Sequence, residues 1–301
     1  MNQLEKNRIE IDAIDTEMAR LFERRMEACR GIAEYKREHA LPICDPAREA
    51  AVVAAASERV ADSTMREYYT SFVKDVMKTS RAYQSRLTEG MRVVYSGAEG
   101  AFGYIAANRA FPGASLEASA DFADAYRAVE DGQYDCAVLP IENSYAGDVG
   151  AVMDLLFSGS LYINRMIDLE VEHSLLGVPG ASIDDIGTVV SHPQALEQCA
   201  DFIRAHGWKT VSYSNTALAA KYVAAANDPH IAAIASDETA ALYGLEALAH
   251  RVNSARSNTT RFAVLSRAQH LPSPDSRTGR EHFILVFTTK NEAGALAQPL
   301  N

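Results

Sequence analysis

Asn258-Thr259-Thr260-Arg261-Phe262-Ala263-Val264-Leu265 sets two hydroxyls and a guanidinium directly before an apolar run. The run reads as a buried strand with Phe262 and Val264 on one face. Open α/β sheets bind ligands at strand ends, so a polar cluster at such an end is a candidate site. Four upstream stretches repeat the arrangement. Ala137-Val138-Leu139-Pro140-Ile141 ends in Glu142-Asn143-Ser144, and Val189-Val190 leads into Ser191-His192-Pro193-Gln194 with a helix through Gln198. Val211-Ser212-Tyr213 leads into Ser214-Asn215-Thr216, and Ile231 to Ile234 into Ala235-Ser236-Asp237. Any one junction is explained by helix N-capping. Several at once, all from strand to helix, describe a polar cleft.

Short β runs alternating with helical stretches from Arg92 onward indicate a mixed or parallel α/β fold. Arg92-Val93-Val94-Tyr95 opens it, and Gly97-Ala98-Glu99-Gly100 turns that strand into a helix from about residue 101. Such a loop can present backbone N–H groups to an anion, although tight-turn geometry alone also explains two glycines.

The composition excludes several classes. The 301 residues carry a net charge of −11, which argues against a general binder of nucleic acid or anionic membrane. Residues 1–90 hold 15 Lys+Arg against 16 Asp+Glu, so almost all of the excess falls on the remainder. Cys29, Cys44, Cys136 and Cys199 lie far apart and form no metal or disulfide pattern. No apolar run reads as a signal peptide or a membrane span, so a reducing cytoplasm is the expected setting.

The first ninety residues differ in character. Leu4, Ile11, Ile14, Met18, Leu21, Ala28, Ile32 and Tyr35 follow a seven-residue repeat over about 3–39, the pattern of one long amphipathic helix. Arg25 occupies a slot in that apolar repeat, and a buried guanidinium needs an anion or other partner. Lys36, eleven residues on, returns to within about 20° of the same face about 16 Å along the axis. Arg8 lies about 25 Å in the other direction and reaches the same ligand only if a second copy runs antiparallel alongside. Pro42 ends the helix, and Asp45-Pro46 caps a second to about residue 61, with Arg48 and Glu49 in its first turns. Thr64-x-x-Glu67 reads as a capping box for a third, whose stripe continues into Ser80 and Gln84.

Arg8, Arg25, Lys36, Asp45, Arg48, Glu49, Ser80 and Gln84 resemble, in order and nearly in spacing, the active-site set of all-helical chorismate mutases. The resemblance implies an all-α three-helix domain over 1–88 that interlocks as an intertwined homodimer. It further implies that Arg8, Arg25 and Arg48 clamp the substrate carboxylates. Lys36 and Gln84 would donate to the ether oxygen, with Glu49 on the ring hydroxyl, and Asp45 and Ser80 complete the set. The pericyclic rearrangement of chorismate to prephenate needs only positioning and charge stabilisation.

Residues 91–268 resemble prephenate dehydratases through Pro140-Ile141-Glu142-Asn143-Ser144, Ser191-His192-Pro193-Gln194-Ala195-Leu196, Asn215-Thr216-Ala217, Tyr243-Gly244-Leu245 and Asn258 to Phe262. The resemblance implies two α/β lobes of type 2 periplasmic-binding-protein architecture with the substrate between them. It implies conversion of prephenate to phenylpyruvate, water and carbon dioxide without a cofactor or metal, as a step of phenylalanine biosynthesis. Thr260 would donate to the departing hydroxyl and Arg261 would lie beside the carboxylates. Asn143, Ser144, Ser191, Gln194, Gln198 and Thr216 would line the cleft, with Glu142 orienting its neighbours. His173 and His192 read as structural histidines rather than general acids. The sequence departs from the family at Ala101 and Gly103, where hydroxyl-bearing residues are usual, and at Tyr145. Two alternatives follow: one activity alone is retained, or the chain is a non-catalytic ligand-binding sensor.

Residues 267–280 read as a linker. Glu281 to Lys290 reads as a strand, and Asn291-Glu292-Ala293-Gly294-Ala295-Leu296 resembles the opening loop of an ACT regulatory domain. A fragment of that domain over 281–301 leaves feedback inhibition by phenylalanine absent or weak, because a lone strand buries no apolar face.

Overall fold

The structure is a computed structural model, and it describes residues 2–254 and 258–269, together with 289, 290, 292, 294, 295 and 297. It forms two compact units, Met1–Arg92 and Val93–Asn301.

The first unit is three helices: α1 (Gln3–Glu38), α2 (Pro46–Glu58) and α3 (Arg66–Glu89). Asn2 and Glu5 form a capping box at the start of α1, and Asp45 caps α2 by accepting from Arg48 N–H. The expected capping box at Thr64 is not formed. Thr64 instead donates to Asp62, and α3 starts at Arg66 with no side-chain cap. The short side chain of Asp62 offers Thr64 both a backbone and a hydroxyl bond, an Asx turn that outcompetes capping. Helix α3 runs as far as Glu89, and Gly90 ends it at φ +80°. Along α1 only Cys29 and Ala33 are buried, while Leu4, Ile11, Ile14, Met18 and Leu21 stay exposed. The chain's own α2 and α3 therefore leave much of the seven-residue stripe uncovered.

The second unit contains two sheets. The first lobe is built from β1 (Arg92–Ser96), α4 (Phe102–Ala110), β2 (Ser115–Ser119), α5 (Phe122–Glu130), β3 (Cys136–Asn143), β4 (Gly147–Asp148), α6 (Gly150–Ser158) and β5 (Tyr162–Glu170). The chain then crosses to the second lobe. That lobe comprises β6 (Ser174–Gly177), β7 (Thr188–Ser191), α7 (Pro193–Gln198), α8 (Ala200–His206), β8 (Lys209–Ser212), α9 (Thr216–Ala226), β9 (Ile231–Ala235), α10 (Asp237–Tyr243) and β10 (Glu246–Ala249). It returns as β11 (Thr259–Ser266).

The strand orders are β2-β1-β3-β11-β5 and β8-β7-β9-β6-β10. Each lobe thus repeats one plan, with a strand that runs antiparallel to its neighbours in the fourth place. This doubled plan, with two crossings between sheets, is the architecture of type 2 periplasmic binding proteins. The crossings are tied together, since Val171 N–H donates to Asn258 O at 2.6 Å and Val252 N–H to His173 O at 2.8 Å. The core of the first lobe gathers Val94, Tyr126, Val129, Leu139, Val152 and Leu265, and the second lobe has two, one with Leu176, Val190 and Val223 and one with Leu175 and Ile234. Phe262 and Val264 are buried, but so are Ala263 and Leu265, because β11 is flanked by β3 and β5 and covered on both faces.

The lobes also meet beside the glycine loop. Thr239 Oγ1 donates to Gly100 O at 2.7 Å, and Tyr243 OH donates to Glu99 O at 2.8 Å. Gly103 explains one departure from the family pattern. A Cβ there would lie 2.6 Å from Ser96 O, a backbone atom of β1 that cannot swing aside. Gly103→Ser is expected to destabilise the second unit by about 1–3 kcal/mol, read as a lower urea midpoint. An unchanged midpoint would show that α4 has room to shift.

Candidate active sites

The antiparallel setting of β11 positions the cleft. It lays its amino end beside the carboxyl end of β3, so Thr260 stands opposite Asn143, and Arg261 opposite Glu142 and Asp168. Residues directly across an antiparallel ladder share a face, and neighbours along the strand take opposite faces. Thr260 and Asn143 therefore face the cleft together. Arg261 turns away and pairs with Asp168 at 2.9 Å and Glu142 at 3.2 Å. The ladder skips Ile141 next to Pro140, which has no N–H to donate.

Between the lobes lies a cleft of about 260 Å³. Asn143, His173, Gln194, Gln198, Asn258 and Thr260 supply polar lining, with Ala101 and Phe102 from the start of α4 and Ser214, Asn215 and Thr216 from the start of α9. Neither lysine nor arginine is among the described residues that line it. Three helices begin at its wall: α4, α7 and α9. Ala101, at the N-cap of α4, provides no side-chain cap, so the first N–H groups of that helix remain for another acceptor. Helix N-termini carry the partial positive charge that favours an anion.

Five of the polar lining residues, Asn143, Thr260, Asn258, Gln198 and His173, form one directed chain of hydrogen bonds. Tyr145 N–H and Ala146 N–H both donate to Asn143 Oδ1, at 3.0 and 2.9 Å. Backbone donors leave no choice of amide orientation, so Asn143 Nδ2 is the donor on the other side. It donates to Thr260 Oγ1 at 2.8 Å and to Asn258 Oδ1 at 2.9 Å. Asn258 Nδ2 then donates to Gln198 Oε1 at 3.1 Å, and the same oxygen lies 3.0 Å from His173 Nε2. An oxygen can only accept, so His173 carries its proton on Nε2, and buried Nδ1 has no partner among the described residues. Thr260, already an acceptor from Asn143, keeps its own hydroxyl proton available to a ligand.

Four expectations change in the second unit. Ser191 is fully buried and donates to Ile234 O at 2.6 Å, tying β7 to β9 instead of lining the cleft. Ser144 Oγ accepts from Thr259 N–H at 2.9 Å and is likewise outside the lining. Arg261 and Glu142 lie on the other face of their strands, for the register reason given above. Gln194, Gln198, Thr216, Asn143 and Thr260 all line the cleft. Asn258 was legible only as part of a motif, and its linking role needed the fold, as did the place of His173 in the lining.

In the first unit, Arg25 of α1 is half-buried and donates to Ser80 Oγ of α3. Among the described residues no carboxylate pairs with that guanidinium, which also meets Cys29 Sγ at 3.8 Å. Gln84, one turn beyond Ser80, is buried with an unpartnered Oε1. Lys36 Nζ donates to Ile43 O at 2.6 Å, in the turn leading to α2. Glu49 pairs with Arg81 of α3, a partner absent from the sequence reading. Asp45 serves as the α2 cap, while Arg48 and Arg8 are exposed. Arg25, Ser80 and Gln84 thus share one inter-helix face, whereas Arg8 meets none of them through a recorded contact. The expected strand and turn of 281–301 fall largely outside the described residues.

Taken with these geometries, the fold and sites define a two-part protein: a helical unit carrying cations among apolar residues, and a two-lobed unit with an anion-ready cleft. A family model described as prephenate dehydratase matches residues 93–270, and one described as chorismate mutase type II matches 7–85. The chain belongs to the family of bifunctional chorismate mutase/prephenate dehydratases. It is 33% identical over 296 residues to the Neisseria gonorrhoeae protein of that name, covering 96% of this chain and 79% of the relative. Arogenate dehydratase/prephenate dehydratase 1 of Arabidopsis thaliana is 38% identical over 211 residues, 70% of this chain and 53% of the relative. The chain thus spans about half the length of the plant relatives it matches. A solved prephenate dehydratase from Arthrobacter aurescens in complex with L-Phe superposes with a TM-score of 0.59 at 28% identity, covering 70% of this chain and 71% of that one.

Burial holds the His173 ring below the ordinary histidine pKa, against the hydrogen bond to Gln198, which raises it. Between that lowered value and about 6.5 the unfolded chain binds a proton that the folded chain does not. Stability therefore rises with pH through this window and is lost on acidification. The urea midpoint of the wild type is expected to fall more between pH 7 and pH 5 than that of His173→Gln. Parallel pH profiles would contradict this.

Proposed function

We propose that the chain converts chorismate to prephenate in the helical unit and prephenate to phenylpyruvate in the cleft, in phenylalanine biosynthesis. Family membership supports both steps, and the chain Asn143–Thr260 carries the second. Prephenate dianion gives phenylpyruvate monoanion, carbon dioxide and hydroxide. The bond to the carboxylate breaks, its electron pair enters the ring, and the C–O bond to the hydroxyl breaks as the ring becomes aromatic. Thr260 donates a hydrogen bond to the leaving oxygen, where negative charge grows. A threonine hydroxyl is too weak an acid to deliver its proton outright, so its service is the oriented bond. The N-termini of α4 and α9 receive the carboxylates, replacing the arginine that the sequence suggested.

In the helical unit, Arg25 and Arg48 hold the carboxylates of chorismate, and Lys36 and Gln84 meet the ether oxygen. Ser80 already positions Arg25. Arg8 joins from a second copy, and the exposed apolar stripe of α1 supports that homodimer, since burying each such side chain is worth roughly 1.5–3 kcal/mol. Four free cysteines and the lack of any helix, among the described residues, long and apolar enough to cross a membrane support a cytoplasmic setting.

Separate assays with chorismate and prephenate test the two halves. Arg25→Ala is expected to lower mutase kcat/KM by at least a hundredfold and spare the dehydratase, with Thr260→Val doing the reverse. Arg261→Gln is expected to leave KM for prephenate within about threefold, because a charge turned from the cleft contributes little binding. A large rise in KM there would restore Arg261 to the site. Ile14→Asp combined with Leu21→Asp is expected to give monomers by analytical ultracentrifugation that have lost mutase but kept dehydratase. Full mutase activity in monomers would remove the second copy from the site.

A further inference from the structure

Resting on the mutase reading above, we infer that Arg81 is a further positioning residue of the mutase site: its guanidinium holds Glu49 in place and offsets its charge, so that a carboxylate can serve in a site for a dianion. Arg81 stands four residues after Met77 and three before Gln84, both buried. Residues at that spacing share a helix face, so Arg81 lies on the side of α3 that also carries Ser80, the brace of Arg25. It reaches across to α2 and donates to Glu49 Oε2. The two side chains are 36% and 27% exposed, so a small ligand can reach the pair. An ion pair with that much access to water adds little stability, and ordering two long side chains costs rotamer freedom. Orientation and charge are what it offers.

The chemistry of the substrate gives both a use. The resemblance puts Glu49 on the ring hydroxyl of chorismate, the one hydrogen-bond donor that this dianion carries. A carboxylate is a strong acceptor for that hydrogen, yet it brings a third negative charge beside the two of the substrate. Away from bulk water that repulsion is poorly screened. Arg81 supplies the compensating charge on Oε2 and leaves Oε1 to the hydroxyl. Among the described residues Oε1 otherwise meets the Cys44 thiol at 3.9 Å, a weak donor at long range. The same bond ties the Glu49 carboxylate to a second helix, so its acceptor oxygen is set before the substrate arrives.

A double-mutant cycle in the full chain separates this role from that of an inter-helix strut. Arg81→Gln is expected to raise KM for chorismate about tenfold with kcat changed less, because the unmasked Glu49 repels the dianion on entry. In the Glu49→Gln background, with no charge to mask, the same change is expected to move KM by no more than about threefold. If Glu49→Gln is too slow for kinetics, calorimetric chorismate affinities of the two chains in that background give the same ratio. Arg81→Lys keeps the charge and is expected to stay within about threefold of wild type. Equal factors in both backgrounds, a wild-type KM for Arg81→Gln, or a lysine as poor as the glutamine would each overturn the inference. Dehydratase kinetics and the unfolding midpoint, both expected at wild-type values, establish that each variant is folded. Should Arg81→Gln not fold, Arg81→Met, which keeps the volume of the side-chain stem, takes its place. Loss of helix in that variant too would show that the arginine serves the fold, and the inference would fall. A wild type that does not consume chorismate at all would instead defeat the underlying reading, seen before any variant is made.

Discussion

Two backbone N–H groups, those of Tyr145 and Ala146, set the direction of the hydrogen-bond chain that starts at Asn143 in the cleft by donating to one side-chain oxygen. They cannot turn round, so the Asn143 amide cannot flip. From there the direction of each bond is forced, through Asn258 and Gln198 to His173 on one branch and to Thr260 on the other. A rotating hydroxyl is normally the least specified donor in a protein. Here its acceptor side is taken by Asn143, which leaves the proton for whatever enters. Preorganisation of this kind is what electrostatic catalysis requires, because no dipole must turn as charge develops.

The fold makes the network possible by combining two strand directions. β3 and β11 run antiparallel, so an amino end and a carboxyl end lie side by side at the cleft. Residues 115 positions or more apart in sequence thereby stand opposite one another. The crossings between lobes bring in His173 and Asn258, and α7 brings Gln198. Charge is handled differently. A cleft free of lysine and arginine in its described lining, ringed by helix N-termini, holds an anion through fixed dipoles instead of flexible side chains. The helical unit uses the opposite solution, with Arg25 set among apolar neighbours and braced by Ser80.

Much of this was legible in the sequence. The seven-residue stripe gave α1 to within a residue, and Asp45-Pro46 marked the start of α2, because capping and periodicity are local signals. The strand-to-helix junctions announced the cleft for the same reason. What was not legible depends on partners far away in the chain. Arg261 looked like a ligand for carboxylates until the register placed Glu142 and Asp168 directly across from it. Ser191 looked like cleft lining until β9 lay beside it and took its hydroxyl. Thr64 misled for a nearer reason, since an Asx turn and a capping box share the same short polar residues. His173 was set aside as structural, and its orphaned nitrogen appears only once the amide chain is traced.

The most direct test of this account is the isosteric change Asn143→Asp, followed by steady-state assays of both activities on the same preparation. A carboxylate has the size of the amide but cannot donate, so it would take the Thr260 proton instead of leaving it for the substrate. The account expects the turnover of prephenate to fall by about a hundredfold or more while the turnover of chorismate is unchanged. Turnover of prephenate close to wild type would show that the direction of the Thr260 hydroxyl does not matter, and the central claim would not stand.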